Sequence, residues 1–220
     1  MAKKNNEETV DHRQVVIAQP NLKVAIFRIR GTAPYVGNAF SQKARDQMKA
    51  KQEAGSTSNK GKKREPKDFK ACFEGAKHIS EDGWLGFPAS AIRTAMISAC
   101  RIVGFKMTLA KLALFVEADG FDKVDGTALV RIRKGEPVYV EHAARNETGV
   151  CDIRARPMWK PGWEAVLRIE FDADMFILDD VANLLLRVGK QVGIGEGRPD
   201  SRKSCGMGWG LFEIVDKQAA

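Results

Sequence analysis

Seven glycines fall between positions 189 and 210 (Gly189, Gly193, Gly195, Gly197, Gly206, Gly208 and Gly210), where an even spread of the chain's 20 glycines would put about two. Glycine reaches positive φ and lets another backbone or a phosphate approach where a side chain would intrude. Lys190, Arg198, Arg202 and Lys203 lie in the same stretch against Glu196 and Asp200. The chemistry offered is anion binding on a glycine-rich backbone, with a close-packed hairpin as the plain alternative. A second candidate lies in the stretch 84–101. There Ser90 and Arg93, near the start of a predicted helix, would add a hydroxyl and a guanidinium to the free N–H groups of a helix amino terminus, a combination suited to phosphate. An ordinary capped core helix would carry the same residues.

Charge points the same way. The 220 residues hold 36 Lys and Arg against 28 Asp and Glu, a net charge of +8. Residues 41–70 supply +6 of it, with ten basic side chains, among them Lys43, Arg45, Lys60, Lys62, Lys63 and Arg64, against four acidic ones. A polyanion is the first partner to expect. Segment 145–160 interleaves Arg145, Arg154, Arg156 and Lys160 with Trp159, as a loop gripping a strand would, or as a solvated β-hairpin would. Tyr35, Phe40, Trp159 and Trp209 are candidate stacking rings, and each would equally serve a core.

Other chemistries are disfavoured. The glycine cluster follows a helix and precedes a strand, whereas dinucleotide and Walker loops need the opposite order, so no nucleotide cofactor is expected. Cys72, Cys100, Cys151 and Cys205, and His12, His78 and His142, stand too far apart for metal-ligand spacing. Asp172, Asp174, Asp179 and Asp180 could hold magnesium, but helix capping explains them more simply. No apolar run approaches a membrane span and residues 1–11 lack a signal-peptide core, so a cytoplasmic protein with reduced thiols is expected.

The elements that must position these residues form one domain. Residues 21–31 alternate as a strand with Lys23, Arg28 and Arg30 outward. Residues 40–54 are a short helix followed by a flexible basic insertion spanning about 41–70 in all, because 55–66 holds almost nothing apolar to offset ordering entropy. Residues 88–103 carry a helical stripe (Ile92, Ala95, Met96, Ala99, Cys100, Val103) with Pro88 at the first turn, Ser90 as a possible cap and Gly104 as terminator. A strand at 111–118 follows, then a β-rich insertion at about 120–160, a firm strand at 163–171, a second helix at 175–192 opening after Asp172 or Asp174, and a last strand at 209–215. Strand, helix, strand, strand, helix, strand is the ferredoxin-like βαββαβ order: an α+β antiparallel sheet with two helices and two insertions.

Two of these segments resemble a known family. The stretch Gly86-Phe87-Pro88-Ala89-Ser90-Ala91-Ile92-Arg93 resembles the Ile-Pro-Gly-Ser-Ser-Leu-Arg signature opening the first helix of the RAMP superfamily, the ferredoxin-like RNA-binding proteins of CRISPR effector complexes. The glycine-rich stretch 193–210 is similar to that superfamily's glycine-rich loop, and Gly193-Ile194-Gly195-Glu196-Gly197-Arg198-Pro199 resembles a stretch in small bacteriophage proteins. The resemblance implies a non-catalytic subunit in a bacterial or phage-infected cytoplasm that tracks single-stranded RNA or DNA and assembles side by side with copies of itself. It also implies a cleft in which the glycine loop meets the Ser90/Arg93 helix tip. Some RAMP proteins cut RNA without metal, using His with Lys or Tyr, so His78 or His142 as a general base is the alternative. A protein–protein module imitating a CRISPR subunit is the third.

Overall fold

The computed structural model describes residues 17–53, 55, 66–145, 151–201 and 206–219. In chain order these form β1 (Leu22–Gly31), β2 (Tyr35–Val36), α1 (Gln42–Glu53), α2 (Phe69–Glu74), β3 (His78–Ile79), β4 (Leu85–Pro88), α3 (Ala89–Ala99), α4 (Met107–Ala113), β5 (Leu114–Val116), β6 (Gly120–Phe121), β7 (Ala128–Lys134), β8 (Pro137–Arg145), β9 (Cys151–Trp159), β10 (Glu164–Asp172), α5 (Leu178–Arg187), a π-helical turn Val188–Val192, and β11 (Phe212–Ala219).

The alternation in β1 and β10 builds the core. Ala25, Phe27 and Ile29 on β1 and Ala165, Leu167, Ile169 and Phe171 on β10 are buried, and the residues between them face the other way. The two strands pair antiparallel with Phe27 opposite Leu167. Lys23 lies on the same side of the pleat as Ala25, not with Arg28 and Arg30 as expected, because side chains alternate strictly along a strand. Ile92 and Met96 of α3, Val181 and Leu185 of α5, and Phe212 of β11 close over this face. Each fully buried side chain of this size contributes roughly 1.5–3 kcal/mol.

An eight-stranded sheet runs β11-β1-β10-β7-β4-β3, with β5 also on β10 and β6 on β7, and a separate three-stranded sheet runs β2-β9-β8. Every strand pairing among the described residues is antiparallel, and the architecture is α+β. β5 and β7 share one edge of β10: β5 lies against Ile169–Phe171 and β7 against Glu164 and Ala165.

Five α-helices, not two, are present among the described residues. The strand expected at 111–118 begins only at Leu114, because Met107-Thr-Leu-Ala-Lys-Leu-Ala is a run of good helix formers and stays helical. The helix expected at 88–103 ends at Ala99, with its cap at Pro88 and no side-chain bond from Ser90, and Gly104 takes φ +70° beyond a turn. α5 starts at Leu178, where Asp180 accepts the Ile177 N–H at 3.2 Å, while Asp172 accepts from Asp174 N at 2.9 Å in the preceding turn.

Candidate nucleic-acid interface

The glycine-rich segment is a tight platform beside β2. Gly193, Gly195, Gly197, Gly206, Gly208 and Gly210 all have positive φ. Two of them show why a side chain is excluded. A Cβ on Gly210 would lie 1.8 Å from the Ile194 carbonyl oxygen, and one on Gly197 would lie 2.5 Å from the Trp209 ring. Backbone bonds fix the platform: Ile194 N donates to Gly210 O (3.1 Å), Glu196 N to Val36 O (3.1 Å) and Met207 N to Gly197 O (2.7 Å), and the Arg198 guanidinium donates to Gly195 O (3.1 Å).

From this platform Glu196 reaches into the β8–β9 hairpin. Its carboxylate accepts from Arg156 Nε at 2.7 Å and Arg154 Nη1 at 2.8 Å, and His142 Nε2 lies at 3.3 Å. Burial alone would raise the Glu196 carboxyl, but the bonds from Arg156 and Arg154 outweigh it and hold the group below its ordinary value. His142 stands edge-on to Trp209 with ring centroids 5.2 Å apart, and its Nδ1 is enclosed without a partner. Sequence reading placed Arg154, Arg156, Arg198 and the glycines in the site, and here they meet. It missed Glu196 as their anion, although an acid flanked by Gly195 and Gly197 in a basic loop was the available signal.

Ser90 and Arg93 do not join them. The loop docks on the other end of α3, where Ser98 and Arg101 donate to Asp200, the latter at 2.7 Å, and hold its carboxyl low. A rise of about 1.5 Å per residue separates Ser90 from Ser98 by about 12 Å. Ser90 is exposed. Arg93 instead donates from Nε to Leu114 O (2.8 Å) and from Nη2 to Lys111 O (2.5 Å), and lies 4.9 Å from the Phe115 ring centroid. Its guanidinium finishes α4, and the expected shared cleft is replaced by two separate places.

The basic segment buries nothing in α1. Lys43 is exposed on it, and Arg45 binds Asp125 and lies over the Phe40 ring at 5.6 Å. Lys60, Lys62, Lys63, Arg64, Arg202 and Lys203 lie outside the described residues, as does the side chain of Arg145. Trp159 and Tyr35, expected as stacking rings, are 1% and 2% exposed with centroids 5.3 Å apart. They pack the junction of the two sheets because both arise from the β2–β9 pair. Phe40 is exposed and Trp209 half-buried.

His78 has a partner 44 positions away that no spacing rule exposes: Nδ1 lies 2.8 Å from Asp122 Oδ2 in a buried pair. No three His, Cys, Asp or Glu side chains gather as a metal site among the described residues, and no described helix is long and apolar enough to cross a membrane. No protein-family model matches the chain, and no curated protein matches it.

Proposed function

We propose that this protein binds single-stranded nucleic acid without cutting it, along the side that carries the described ends of the basic segment, the β8–β9 hairpin and the glycine platform. One observation carries the reading: both ends of the basic segment are anchored beside β9. Gly37 N donates to Pro157 O of β9 at 3.0 Å just before the segment, and Lys67 Nζ bonds Asp152 of β9 at 2.9 Å near its end. The residues that flank the basic segment therefore lie against the sheet that holds Arg154 and Arg156. A cationic tract beside a partly exposed ring such as Trp209 suits a flexible phosphate backbone with unpaired bases.

We read the fold as ferredoxin-like. Support comes from the path β11-β1-β10-β5, which in order of the core strands is fourth, first, third, second, with α3 and α5 on its buried face. RAMP kinship and side-by-side assembly along a strand belong to the same reading.

The test is a polarisation titration of a labelled 20-nucleotide single strand, as RNA and as DNA, against protein at several salt concentrations. Log affinity should fall with log salt by about 0.7 per neutralised phosphate, with more than one protein per long strand. Absence of binding, or binding insensitive to salt, overturns the proposal.

A second reading, metal-independent RNA cleavage, draws on His78 alone. Its Nδ1–H donated to Asp122 would leave Nε2 as the base, and Nε2 has no partner among the described residues and is not an enclosed orphan atom. His142 offers no such nitrogen: Nε2 faces Glu196 and Nδ1 is enclosed. Labelled RNA cut in chelator by the wild type and left intact by His78→Ala would establish this reading, and intact RNA with both proteins would dismiss it.

A further inference from the structure

Three donors from one hairpin converge on one anion. Arg154 Nη1 and His142 Nε2 face Glu196 Oε1, and Arg156 Nε faces Oε2, at 2.7–3.3 Å. Two guanidiniums and an imidazole around a pair of oxygens also form a constellation that recognises a phosphodiester. Resting on the nucleic-acid reading, we propose that Glu196 is a resident stand-in for phosphate: it fills the hairpin's anion site in the free protein, and a strand phosphate takes its place on binding.

Charge permits the exchange. A carboxylate and a phosphodiester each carry one negative charge, so substitution leaves the balance around Arg154 and Arg156 unaltered. The nearest other acid, Asp152, lies 3.9 Å from Arg154 and is shared with Lys67 at 2.9 Å. An approach route exists as well. Side-chain exposure rises from 11% at Glu196 through 17% at Arg156 and 29% at Arg154 to 51% at Asp152, so the cluster opens toward solvent along β9. The exchange requires rotation of one side chain only, because the backbone on either side is fixed by Glu196 N to Val36 O and by Met207 N to Gly197 O. His142 is nine-tenths buried and packed edge-on against Trp209, so its ring stays in place as the inner wall of the site when the anion changes.

The experiment compares single-strand affinity and its salt dependence for the wild type, Glu196→Gln, and the triple variant Glu196→Gln/Arg154→Ala/Arg156→Ala. Removing the competing carboxylate should tighten binding about tenfold, the equivalent of one charge-assisted hydrogen bond. The log–log salt slope should stay close to that of the wild type, because the same phosphate occupies the site in both complexes. The triple variant should lose the gain, and its slope should be shallower by about 0.7, the phosphate no longer held. Wild-type binding with no gain in Glu196→Gln overturns the inference and leaves the nucleic-acid reading standing. A gain that survives in the triple variant overturns it too, since it would then arise without the two guanidiniums. No binding by any protein removes the reading and the inference together. Should Glu196→Gln fail to fold, the Arg156 Nε–H resonance of the wild type decides: it should move when saturating strand is added, and an unmoved resonance overturns the exchange.

Discussion

Replacing Gly197 by alanine tests the glycine platform, and Gly208→Ala is its internal control. Both positions have nearly the same backbone, φ +76° and +72°, so both variants bear the conformational penalty of an L-residue in the left-handed region, about 1–2 kcal/mol. They differ in space. A Cβ at Gly197 would lie 2.5 Å from Trp209 Cε3 and 3.0 Å from Cδ2, whereas one at Gly208 meets nothing within 4 Å. The Trp209 ring cannot yield freely, because it is held edge-on to His142 with centroids 5.2 Å apart. Forcing such overpacking costs roughly another 1–3 kcal/mol. Gly197→Ala should therefore lose about 3 kcal/mol and Gly208→Ala about 1.5 kcal/mol. In a domain of this size these correspond to melting shifts of about 6–12 °C and 3–6 °C. Urea denaturation followed by circular dichroism measures the pair, and the near-ultraviolet signal should change in Gly197→Ala alone. Equal losses at the two positions would refute the close packing of Trp209 on Gly197.

Arg93→Ala should lower stability by about 1–3 kcal/mol, since the Lys111 and Leu114 carbonyls lose their donor, yet leave strand affinity within about twofold, the limit at which a phosphate contact would show; denaturation and polarisation read the two separately. Gly31→Ala should destabilise by 3 kcal/mol or more, because its Cβ would fall 1.9 Å from Trp163 Nε1 inside the core, and soluble yield with the urea midpoint measures it. The Glu196 carboxyl is depressed in the folded state, so its contribution is present above the unfolded carboxylate range near pH 4.3 and lost as pH falls through the folded value. The urea midpoints of wild type and Glu196→Gln should therefore differ at pH 7, and the gap should narrow as pH falls below about 4.3; a constant gap across the acid range would contradict the assignment.

Sequence carried the strands whose two faces differ in chemistry. β1 and β10 alternate cleanly, and their extents match the expected 21–31 and 163–171 to within a residue or so. It failed where one composition serves two elements. Leu109, Ala110, Leu112 and Ala113 fit a helix or a strand by periodicity, and what closes the end of α4 is remote in sequence: Arg93 donates to the Lys111 and Leu114 carbonyls, 18 and 21 positions on. The site was legible in part. Arg154, Arg156 and the glycines were visible by type, and they meet because β9 and the loop both lie against β2. Their junction with Ser90 was not a property of either segment: it depended on which end of α3 receives the loop, and Asp200 decides that by binding Ser98 and Arg101. Trp159 shows the same limit, since a ring among arginines reads as a platform until the pairing of β9 with β2 turns it inward.

The binding surface itself is most directly tested by photocrosslinking a thiouridine-substituted single strand to the purified protein and mapping the joined peptides by mass spectrometry. The proposed surface requires crosslinks within residues 41–70, on the β8–β9 hairpin and around Trp209. Crosslinks confined to α3, α4 and α5, or none at saturating strand, would contradict it.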